Sequence, residues 1–514
     1  ERLSNALPSL LKAAVELSKG SLLQGATLAA LLEFLTALVQ FNVPGRPTFE
    51  TLLDQISAPV YDIRNLSRQS FHSIAAATAA IATAEKDVKK ATKLAAQLES
   101  QLRNPTANEA VKLYGLLTLG ELGRACPAVY NGTTPEVLIM EAFASSSEDL
   151  KAAAAHALGG LAVGNLPVYL PFILQQLDAQ PKWQYLLLHA LKEVIVCETS
   201  RVPPTPEFVA LVDSVWQILM KHADSSEEGT RGVVSECLGK LCHVAPAELL
   251  PRLKEHVQSP SASMRTAVVT AVKYMIGEEA RPIDNVLAQT MGDFLCAVND
   301  ENLGVKRVGL VVLNSAAHNK PQLITAHLSK ALPVVFAETN IRTELVKEVE
   351  MGPFKHQVDD GLDLRKSAFE CMYTLLDSCA EGIDLGQFAE ALERGLKDQH
   401  DIKLLSYLTL SKLADVAPGA VMHKMEAIAE PLKAQLITKV KANAVKQEQD
   451  KLDELKRAAC RAVAALQKLP DSARLLPLTE LKNTIATTPD VKAMWEALEK
   501  DTKKTYGVTD AMEL

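Results

Sequence analysis

Aromatic residues are scarce in this chain: Phe, Trp and Tyr together make up 5% of its 514 residues. β-Sandwiches and barrels are rich in aromatic and β-branched residues, so this scarcity argues against both. Alanine and leucine dominate instead, and both favour helices. Hydrophobic residues are 48% and charged residues 23% of the chain, which excludes an intrinsically disordered protein. The composition therefore predicts a folded, helical protein.

Several features that would specify a location or a partner are also missing. No apolar run approaches the length of a membrane span, and no basic-then-apolar signal segment opens the chain. The net charge is −8, so no basic surface for nucleic acid is indicated. We therefore expect neither a membrane nor a nucleic acid as a partner. The chain begins with Glu1 rather than methionine, which is consistent with a fragment of a longer protein.

The sequence also lacks the usual signatures of chemistry. Its eight cysteines are scattered without a CxxC pair, which predicts buried, reduced thiols in a reducing compartment. No GxxxxGK[ST], HExxH or GxSxG motif is present. His156, His189 and His318 lie in predicted helices, where a hydrogen-bonded structural role is favoured over metal binding. Because no site is visible, we expect no metal, no cofactor and no enzymatic activity.

A repeat of about 40 residues organises most of the chain. In each repeat a basic or polar residue precedes an apolar residue by two helical turns, so both lie on one side of a helix. The pairs are Lys112/Leu119, Lys151/Leu158, Gln184/Leu191, Arg231/Leu238, Arg265/Val272, Lys306/Leu313, Arg365/Met372, Lys403/Leu410 and, less regularly, Lys456/Val463. This period is typical of HEAT and armadillo arrays, in which stacked helix pairs share a continuous core. The sequence predicts an all-α HEAT-repeat solenoid that binds other macromolecules.

Turn-forming residues separate the predicted helices. They lie at residues 145–147, 224–226, 259–261 and 299–300. Upstream of Lys112 the pattern is looser, and residues 4–41 and 48–102 are each predicted to form helix pairs. We predict three regions: HEAT repeats over 1–319, C-terminal HEAT repeats over 320–490, and a helix with a frayed tail over 491–514.

One long step interrupts the repeat, from Lys306 to Arg365, and it contains a different pattern. Gly352-Pro353 is unfavourable inside a helix, and two short runs around a glycine-containing break indicate a β-hairpin. We place it at about residues 345–361. Because a lone hairpin is barely stable in water, this one is predicted to project from the array and contact a partner. A disordered insertion is the alternative. Replacing residues 348–360 with a linker is predicted to leave the array folded.

A second long step, from Lys403 to Lys456, contains a charged run over residues 433–457. Lysines come first in this run and acidic residues follow. The run fits either a long solvated helix or an insertion that contacts a partner.

Longer strings carry a family resemblance. They are VGNLPVYLPF (163–172), QYLLLHALKE (184–193), EEGTR (227–231), ECLGKL (236–241), NSAAHNKP (314–321), EVEMGPFKH (348–356), VDDGLDLRKSAFECMYTLLDSC (358–379), KVKAN (439–443) and ELKR (454–457). These strings resemble the C-terminal part of the cullin-associated and neddylation-dissociated protein family, and they occur in the family's order. The likeness runs from about residue 20 to residue 500.

The resemblance implies a HEAT solenoid that wraps a cullin–RING ubiquitin ligase scaffold. In that family the hairpin occupies the cullin surface used by the substrate-receptor adaptor, competes with the adaptor and promotes receptor exchange. Earlier repeats of the family embrace the cullin C-terminal region and the RING-box subunit and shield the neddylation lysine. This chain resembles only the later repeats. We predict a location in the cytoplasm and the nucleus.

The hairpin residues are the predicted binding site for the cullin. They are Val349, Glu350, Met351, Gly352, Pro353, Phe354, Lys355, His356, Val358 and Asp359. Val349, Met351 and Phe354 are expected to be apolar anchors. Glu350, Lys355 and His356 are expected to be polar contacts.

The repeat by itself also fits a HEAT-type nuclear transport receptor or a general scaffold protein. A transport receptor is expected to bind a GTP-loaded small GTPase, whereas a ligase regulator is expected to bind a cullin. A pull-down with both partners distinguishes the two functions.

Overall fold

The computed structural model describes residues 2–41, 45–62, 66–84, 88–277, 283–351, 354–440 and 445–509. The chain divides into two compact units, Glu1–Ala245 and Pro246–Leu514. Helices make up almost all of the regular structure in both units. The predicted all-α class is therefore confirmed.

The first unit is a stack of helix pairs. Its helices are α1 (Arg2–Ser18), α2 (Gly25–Gln40), α3 (Phe49–Asp62), α4 (Arg68–Ala84), α5 (Val88–Arg103), α6 (Glu109–Ala125), α7 (Pro135–Ala142), α8 (Glu148–Gly164), α9 (Leu166–Ala179), α10 (Gln184–Ser200), α11 (Pro206–Val209), α12 (Val212–Ala223) and α13 (Glu228–Leu241). One row consists of α2, α4, α6, α8, α10 and α13, and each helix packs against the next. In the second row, α3, α5, α7, α9 and α12 each pack on the first-row helix that follows.

The second unit repeats this arrangement and contains one hairpin. Its elements are α14 (Pro246–Lys254), α15 (Ala262–Ile276), α16 (Asp284–Leu295), α17 (Leu303–Asn319), α18 (Leu328–Ala337), β1 (Val346–Met351), β2 (Phe354–Asp359), α19 (Leu362–Ser378), α20 (Leu385–Gly395), α21 (His400–Val416), α22 (Pro418–His423), α23 (Met425–Ile437), α24 (Lys446–Leu466), α25 (Leu476–Thr487) and α26 (Pro489–Thr509). Here α15, α17, α19, α21, α24 and α26 form the continuous row. The acidic half of the charged run lies in α24.

Helix starts follow the local signals in the sequence. Asn108, Ser147, Ser261 and Asn302 accept hydrogen bonds through their side chains from backbone N–H groups in the first turns of α6, α8, α15 and α17. These N–H groups have no acceptor inside the helix, so each cap stabilises a helix end. The turns predicted at residues 145–147, 224–226, 259–261 and 299–300 all lie between α-helices, as predicted.

Residues 48–102 differ from the prediction. They were expected to form one helix pair, but they contain the three helices α3, α4 and α5. No glycine or proline occurs between residues 60 and 102. The start of α4 is marked instead by Ser67, whose hydroxyl accepts a hydrogen bond from the N–H of Ser70 at 3.1 Å. The pair predicted at residues 4–41 is confirmed by α1 and α2.

The periodic basic residues of the second unit each bond to a residue in the next repeat. The pairs are Arg265–Asp300, Lys306–Glu338, Arg365–Asp398, Lys403–Gln435 and Lys456–Asp490, with N–O distances from 2.6 to 3.3 Å. Each acceptor lies 32 to 35 residues further along the chain. Since a cation removed from water needs a partner, the periodic basic residue marks one bond between successive repeats.

The eight cysteines are all free thiols, and half of them are buried. Cys237, Cys242, Cys371 and Cys460 are buried, as predicted, but Cys296 is exposed. Burial raises the pKa of Cys460 to about 11 and also raises the pKa of Cys237, so both thiols stay protonated at neutral pH. None of the helices in the described ranges is both long and apolar enough to cross a bilayer.

Candidate protein-binding site

The hairpin predicted near residues 345–361 lies between α18 and α19. Strands β1 and β2 pair antiparallel, from Val346 opposite Asp359 to Met351 opposite Phe354. They are the only strands among the residues that the structure describes. Gly352 and Pro353, which gave the sequence signal, lie outside the described residues. The long step in the repeat is therefore occupied by a β-hairpin, as predicted.

The register assigns the predicted contact residues to two faces of the hairpin. Side chains alternate along a strand, so positions 347, 349 and 351 share a face with their partners 358, 356 and 354. Positions 346, 348 and 350 share the opposite face with 359, 357 and 355. The three predicted apolar anchors thus hold positions on one face. His356 holds a position on that face too, whereas Glu350 and Lys355 hold positions on the other.

Three side chains are described on the first of these faces: two valines and Lys347. Val349 is 38% exposed and Val358 is 41% exposed. Lys347, Glu348 and Gln357 are exposed as well, so helices do not cover this part of the ribbon. The structure describes only the backbone of Met351, Phe354, Lys355 and His356. We call the face that carries Val349 and Val358 the valine face.

The base of the hairpin, in contrast, is buried and charged. The Arg365 side chain is 2% exposed and lies between the carboxylates of Asp359 and Asp398, which are 5% and 2% exposed. Its Nη1 lies 2.9 Å from Asp359 Oδ2. Its Nε and Nη2 donate to the two oxygens of Asp398 at 2.9 and 3.0 Å. Burial alone would lower the pKa of Arg365, but its bonds to both carboxylates raise it.

Three further hydrogen bonds close the base. The N–H of Gly361 donates to Asp359 Oδ1 at 2.9 Å, and the N–H of Asp360 donates to the carbonyl of Leu345 at 3.1 Å. Lys347 Nζ lies 2.6 Å from Asp360 Oδ2. The sequence grouped Asp359 with the contact residues, but its carboxylate faces the protein interior and holds the hairpin base.

A second charged cluster lies in the first unit, on α4, α6, α8 and α10. His156 Nε2 lies 3.0 Å from Glu121 Oε1, and its Nδ1 lies 3.4 Å from Glu193 Oε1. Arg124 bonds to Glu193 at 3.3 Å, and the His72 ring packs edge-on against His156 at 4.8 Å. The predicted hydrogen bonding of His156 is confirmed. In the described parts of both units, no set of three or more His, Cys, Asp or Glu residues is arranged to hold a metal ion.

The carboxylates around His156 determine its charge. Burial alone would lower its pKa, but the hydrogen bonds and charges of Glu121 and Glu193 outweigh burial and raise the pKa to about 9. Burial and the neighbouring His156 cation lower the pKa of His72 to about 4. Burial would raise the pKa of Glu193, but His156 and Arg124 lower it to about 2. At pH 7 the cluster therefore holds one charged and one neutral histidine.

The substitution His156→Gln is expected to destabilise the first unit in a pH-dependent way. The folded pKa of His156 lies above its unfolded value, so its stabilising effect is complete below about pH 6.5 and is lost as pH rises through about 9. We expect the variant to lose on the order of 2 kcal/mol of unfolding free energy at pH 7, and much less at pH 10. Urea unfolding at both pH values measures this difference.

His189→Gln is the matched control. Burial lowers the pKa of His189, so its protonation does not contribute to stability above pH 7. The difference between this variant and the wild type is expected to stay constant from pH 7 to pH 10. A constant difference for His156→Gln would show that the Glu121 and Glu193 pairs do not hold a charged imidazole.

A family model described as TATA-binding protein interacting (TIP20) matches residues 323–499, which include the hairpin. Cullin-associated NEDD8-dissociated protein 1 of Drosophila melanogaster is 42% identical over 507 residues, which are 96% of this chain and 40% of that protein. Cullin-associated NEDD8-dissociated protein 2 of Rattus norvegicus is 40% identical over 515 residues, 98% of this chain and 39% of that protein. This chain therefore spans about two fifths of the length of these relatives.

A shorter relative is also similar. The Emericella nidulans protein named cullin-associated NEDD8-dissociated protein 1, C-terminal part, is 37% identical over 359 residues, 69% of this chain and 33% of that protein. Among solved structures, yeast importin-β (Kap95p) has a TM-score of 0.52 at 12% identity, covering 99% of this chain and 71% of that chain. Importin-β in an ammonium sulfate condition has a TM-score of 0.53 at 12% identity, and the match covers 96% of this chain and 69% of that chain. At this identity the likeness concerns the fold alone, and it confirms the predicted HEAT-repeat solenoid.

Proposed function

Because the chain belongs to the cullin-associated NEDD8-dissociated protein family, we propose that it is a non-enzymatic regulator of cullin–RING ubiquitin ligase assembly. It binds a cullin through its helical repeats. Its hairpin competes with the substrate-receptor adaptor for the cullin and so promotes receptor exchange. The RING-box subunit is a partner either indirectly, through the cullin, or through the earlier repeats of the family. The proposed locations are the cytoplasm and the nucleus.

The observation that supports the role of the hairpin is its combination of an open valine face with a buried base. Val349 and Val358 expose apolar surface on a ribbon whose exposed part contributes little to the helical core. At the base, Asp359 and Arg365 hold the ribbon to the repeat at 2.9 Å. A rigid element loses less conformational entropy on binding than a flexible loop does. The hairpin is therefore suited to contact a partner through a few apolar side chains.

Binding and competition are expected to involve different parts of the chain. A few buried anchors usually carry most of the energy of a small contact, and the hairpin offers a small contact. The rows of helices in each unit offer a larger surface, which can hold a cullin through many weaker contacts. A change in the hairpin should consequently affect the adaptor more than it affects cullin retention.

Co-purification tests the proposed function. The chain is immobilised and offered a panel of cullins, each with and without its adaptor, and in parallel a GTP-loaded small GTPase. We expect at least one cullin to be retained, and to be retained less when the adaptor is already bound. Retention of the GTPase with no cullin retained would overturn the proposal and favour the transport receptor, whose fold class the importin-β structures share.

A further inference from the structure

We infer that Arg365 is a positioning residue that fixes the direction in which the hairpin leaves the helical repeats. The inference rests on the proposed function, because it assigns Arg365 a part in the competition between hairpin and adaptor. It concerns a buried residue that does not contact the partner.

Two arginines of the described repeats, Arg231 and Arg265, bond to the loop that precedes their helix. Arg231 Nη1 donates to the carbonyl of Ser225, six residues earlier, at 2.8 Å. Arg265 Nη1 donates to the carbonyl of Ser259, again six residues earlier, at 2.8 Å. Arg231 lies near the start of α13 and Arg265 near the start of α15. Each arginine holds the short loop that leads into its helix. The direction of the incoming chain is thereby fixed.

Arg365 occupies the same place at the start of α19, but a hairpin enters this helix instead of a short loop. The residue six positions earlier is Asp359, the last residue of β2. Arg365 Nη1 pairs with the Asp359 side chain at 2.9 Å, where Arg265 Nη1 bonds a backbone carbonyl. A carboxylate thus takes the place of the loop carbonyl, and an ion pair holds the hairpin where a hydrogen bond holds the loop in the other two repeats.

The remaining nitrogens of Arg365 connect the hairpin to the next repeat. Nε and Nη2 bond both oxygens of Asp398, as the same atoms of Arg265 bond both oxygens of Asp300. Gln399 Nε2 donates to Asp359 Oδ2 at 3.2 Å from the same loop as Asp398. The hairpin base is therefore fixed to α19 and to the loop before α21.

The chemistry of the side chain explains why an arginine is needed at position 365. The periodic position holds lysine in other repeats, and Lys456 reaches the carboxylate of Asp490 with its single nitrogen at 2.6 Å. A guanidinium group presents a planar fork that can bond one carboxylate with two nitrogens and a second carboxylate with the third. Lysine at 365 could maintain the bond to the next repeat but could not also hold Asp359 in this geometry.

Loss of the ion pair between Arg365 and Asp359 should loosen the hairpin without unfolding the helices. An isolated two-stranded ribbon is only marginally stable, so the hairpin depends on its base for order. A loosened ribbon has to be ordered again when it binds, and that cost weakens its competition with the adaptor. The helical rows, which supply most of the proposed cullin contact, remain in place.

The test uses Arg365→Lys, with Arg265→Lys as the matched control at the equivalent position of a repeat without a hairpin. Hydrogen exchange of the amides of β1 and β2 measures hairpin order, and displacement of the adaptor from a preformed adaptor–cullin complex measures competition. We expect Arg365→Lys to speed hydrogen exchange of the hairpin amides about tenfold and to weaken displacement of the adaptor about tenfold. Retention of the cullin in the absence of adaptor should not change. Arg265→Lys should leave both readouts at the wild-type level.

Asp359→Asn is a second variant, which keeps Arg365 and its bond to Asp398 intact. It should reproduce the faster hairpin exchange even if Arg365→Lys proves too unstable to purify. If the hairpin amides of both variants exchanged at the wild-type rate, the inference would be overturned. If Arg365→Lys cannot be purified, a wild-type rate in Asp359→Asn alone would overturn it. Fast exchange with undiminished displacement would also overturn it, because hairpin order would then not matter for competition. The proposed function fails separately, if the wild-type chain itself does not displace the adaptor.

Discussion

Replacing residues 348–357 with a short Gly-Ser linker is expected to abolish displacement of the adaptor from a cullin and to leave the melting temperature nearly unchanged. In a helical repeat protein each element contacts mainly its neighbours, and β1 and β2 pair chiefly with each other. The replacement keeps Asp359 and its bond to Arg365. Thermal unfolding of the free protein and displacement from a preformed complex measure the two effects.

The structure determines which residues this replacement should include. The sequence suggested that residues 348–360 could be removed together. That cut would also remove Asp359, whose side chain is 5% exposed, and leave the buried Arg365 with one carboxylate fewer. Loss of stability in such a variant would reflect the charged base, since breaking a buried ion pair leaves an uncompensated charge. The shorter replacement separates the two roles.

The two faces of the hairpin provide a matched comparison. Val349→Ser with Val358→Ser changes the valine face, and Glu348→Ser with Gln357→Ser changes a directly paired position on the opposite face. We expect the first pair to weaken displacement and the second pair to have little effect, because buried apolar anchors carry most of the energy of small contacts. Equal displacement by the wild type and the linker variant would show that the hairpin does not compete.

Gly160→Ala is expected to destabilise the first unit more than most single substitutions do. Helices α6 and α8 pack so closely that a Cβ atom at Gly160 would lie 2.5 Å from the carbonyl oxygen of Gly120. A backbone atom cannot move aside as a flexible side chain can, so the helices have to separate. Overpacking of this kind costs about 1–3 kcal/mol. Urea unfolding of the purified chain measures the loss.

Gly232→Ala is the matched control, since Gly232 also lies inside a helix, α13. A Cβ atom there would have no neighbouring atom within 4 Å. Alanine is the better helix former by about 1 kcal/mol, so this variant should be as stable as the wild type or more stable. If Gly160→Ala were equally well tolerated, the close approach of α6 and α8 would have no energetic importance.

The sequence was most informative where structure depends on neighbouring residues. Ser147 and Ser261 mark helix starts because each caps the turn that directly follows it. The hairpin was visible because Gly352-Pro353 is incompatible with a helix and because the step to Arg365 is too long for one repeat. These are local signals, and the structure confirms the helix starts and the hairpin that they predicted.

Contacts between repeats were not predictable in the same way. Arg365 was recognised as a periodic basic residue, but its partner Asp398 lies 33 residues away and depends on how neighbouring helices stack. His156 was expected to be hydrogen-bonded, yet Glu121 is 35 residues distant and belongs to the preceding first-row helix. The alternation of strand residues, applied to the predicted hairpin, could have grouped Val349 with Val358 once the register was known.

The bonds between repeats also explain why the sequence period was visible in the second unit. Lys306 and Arg365 are each the fourth residue of their helices, and Lys456 lies further into α24, but all three reach a carboxylate of the following repeat. Lys403 departs from this pattern, because its partner Gln435 is neutral. Burial accordingly lowers the pKa of Lys403, with only the charge of Asp398 opposing the effect.

Photo-crosslinking from position 349 tests most directly whether the hairpin occupies the adaptor's site on a cullin. A photo-reactive phenylalanine analogue replaces Val349, which is 38% exposed on the valine face, and a control variant carries it at Val209 of the first unit, which is 50% exposed. We predict a crosslink from position 349 to the cullin that disappears as the cullin is saturated with adaptor, while any crosslink from position 209 does not follow the adaptor. A crosslink from position 349 that persists at full strength on adaptor-saturated cullin, or no crosslink from 349 to a cullin that the chain retains, would contradict competition through the hairpin.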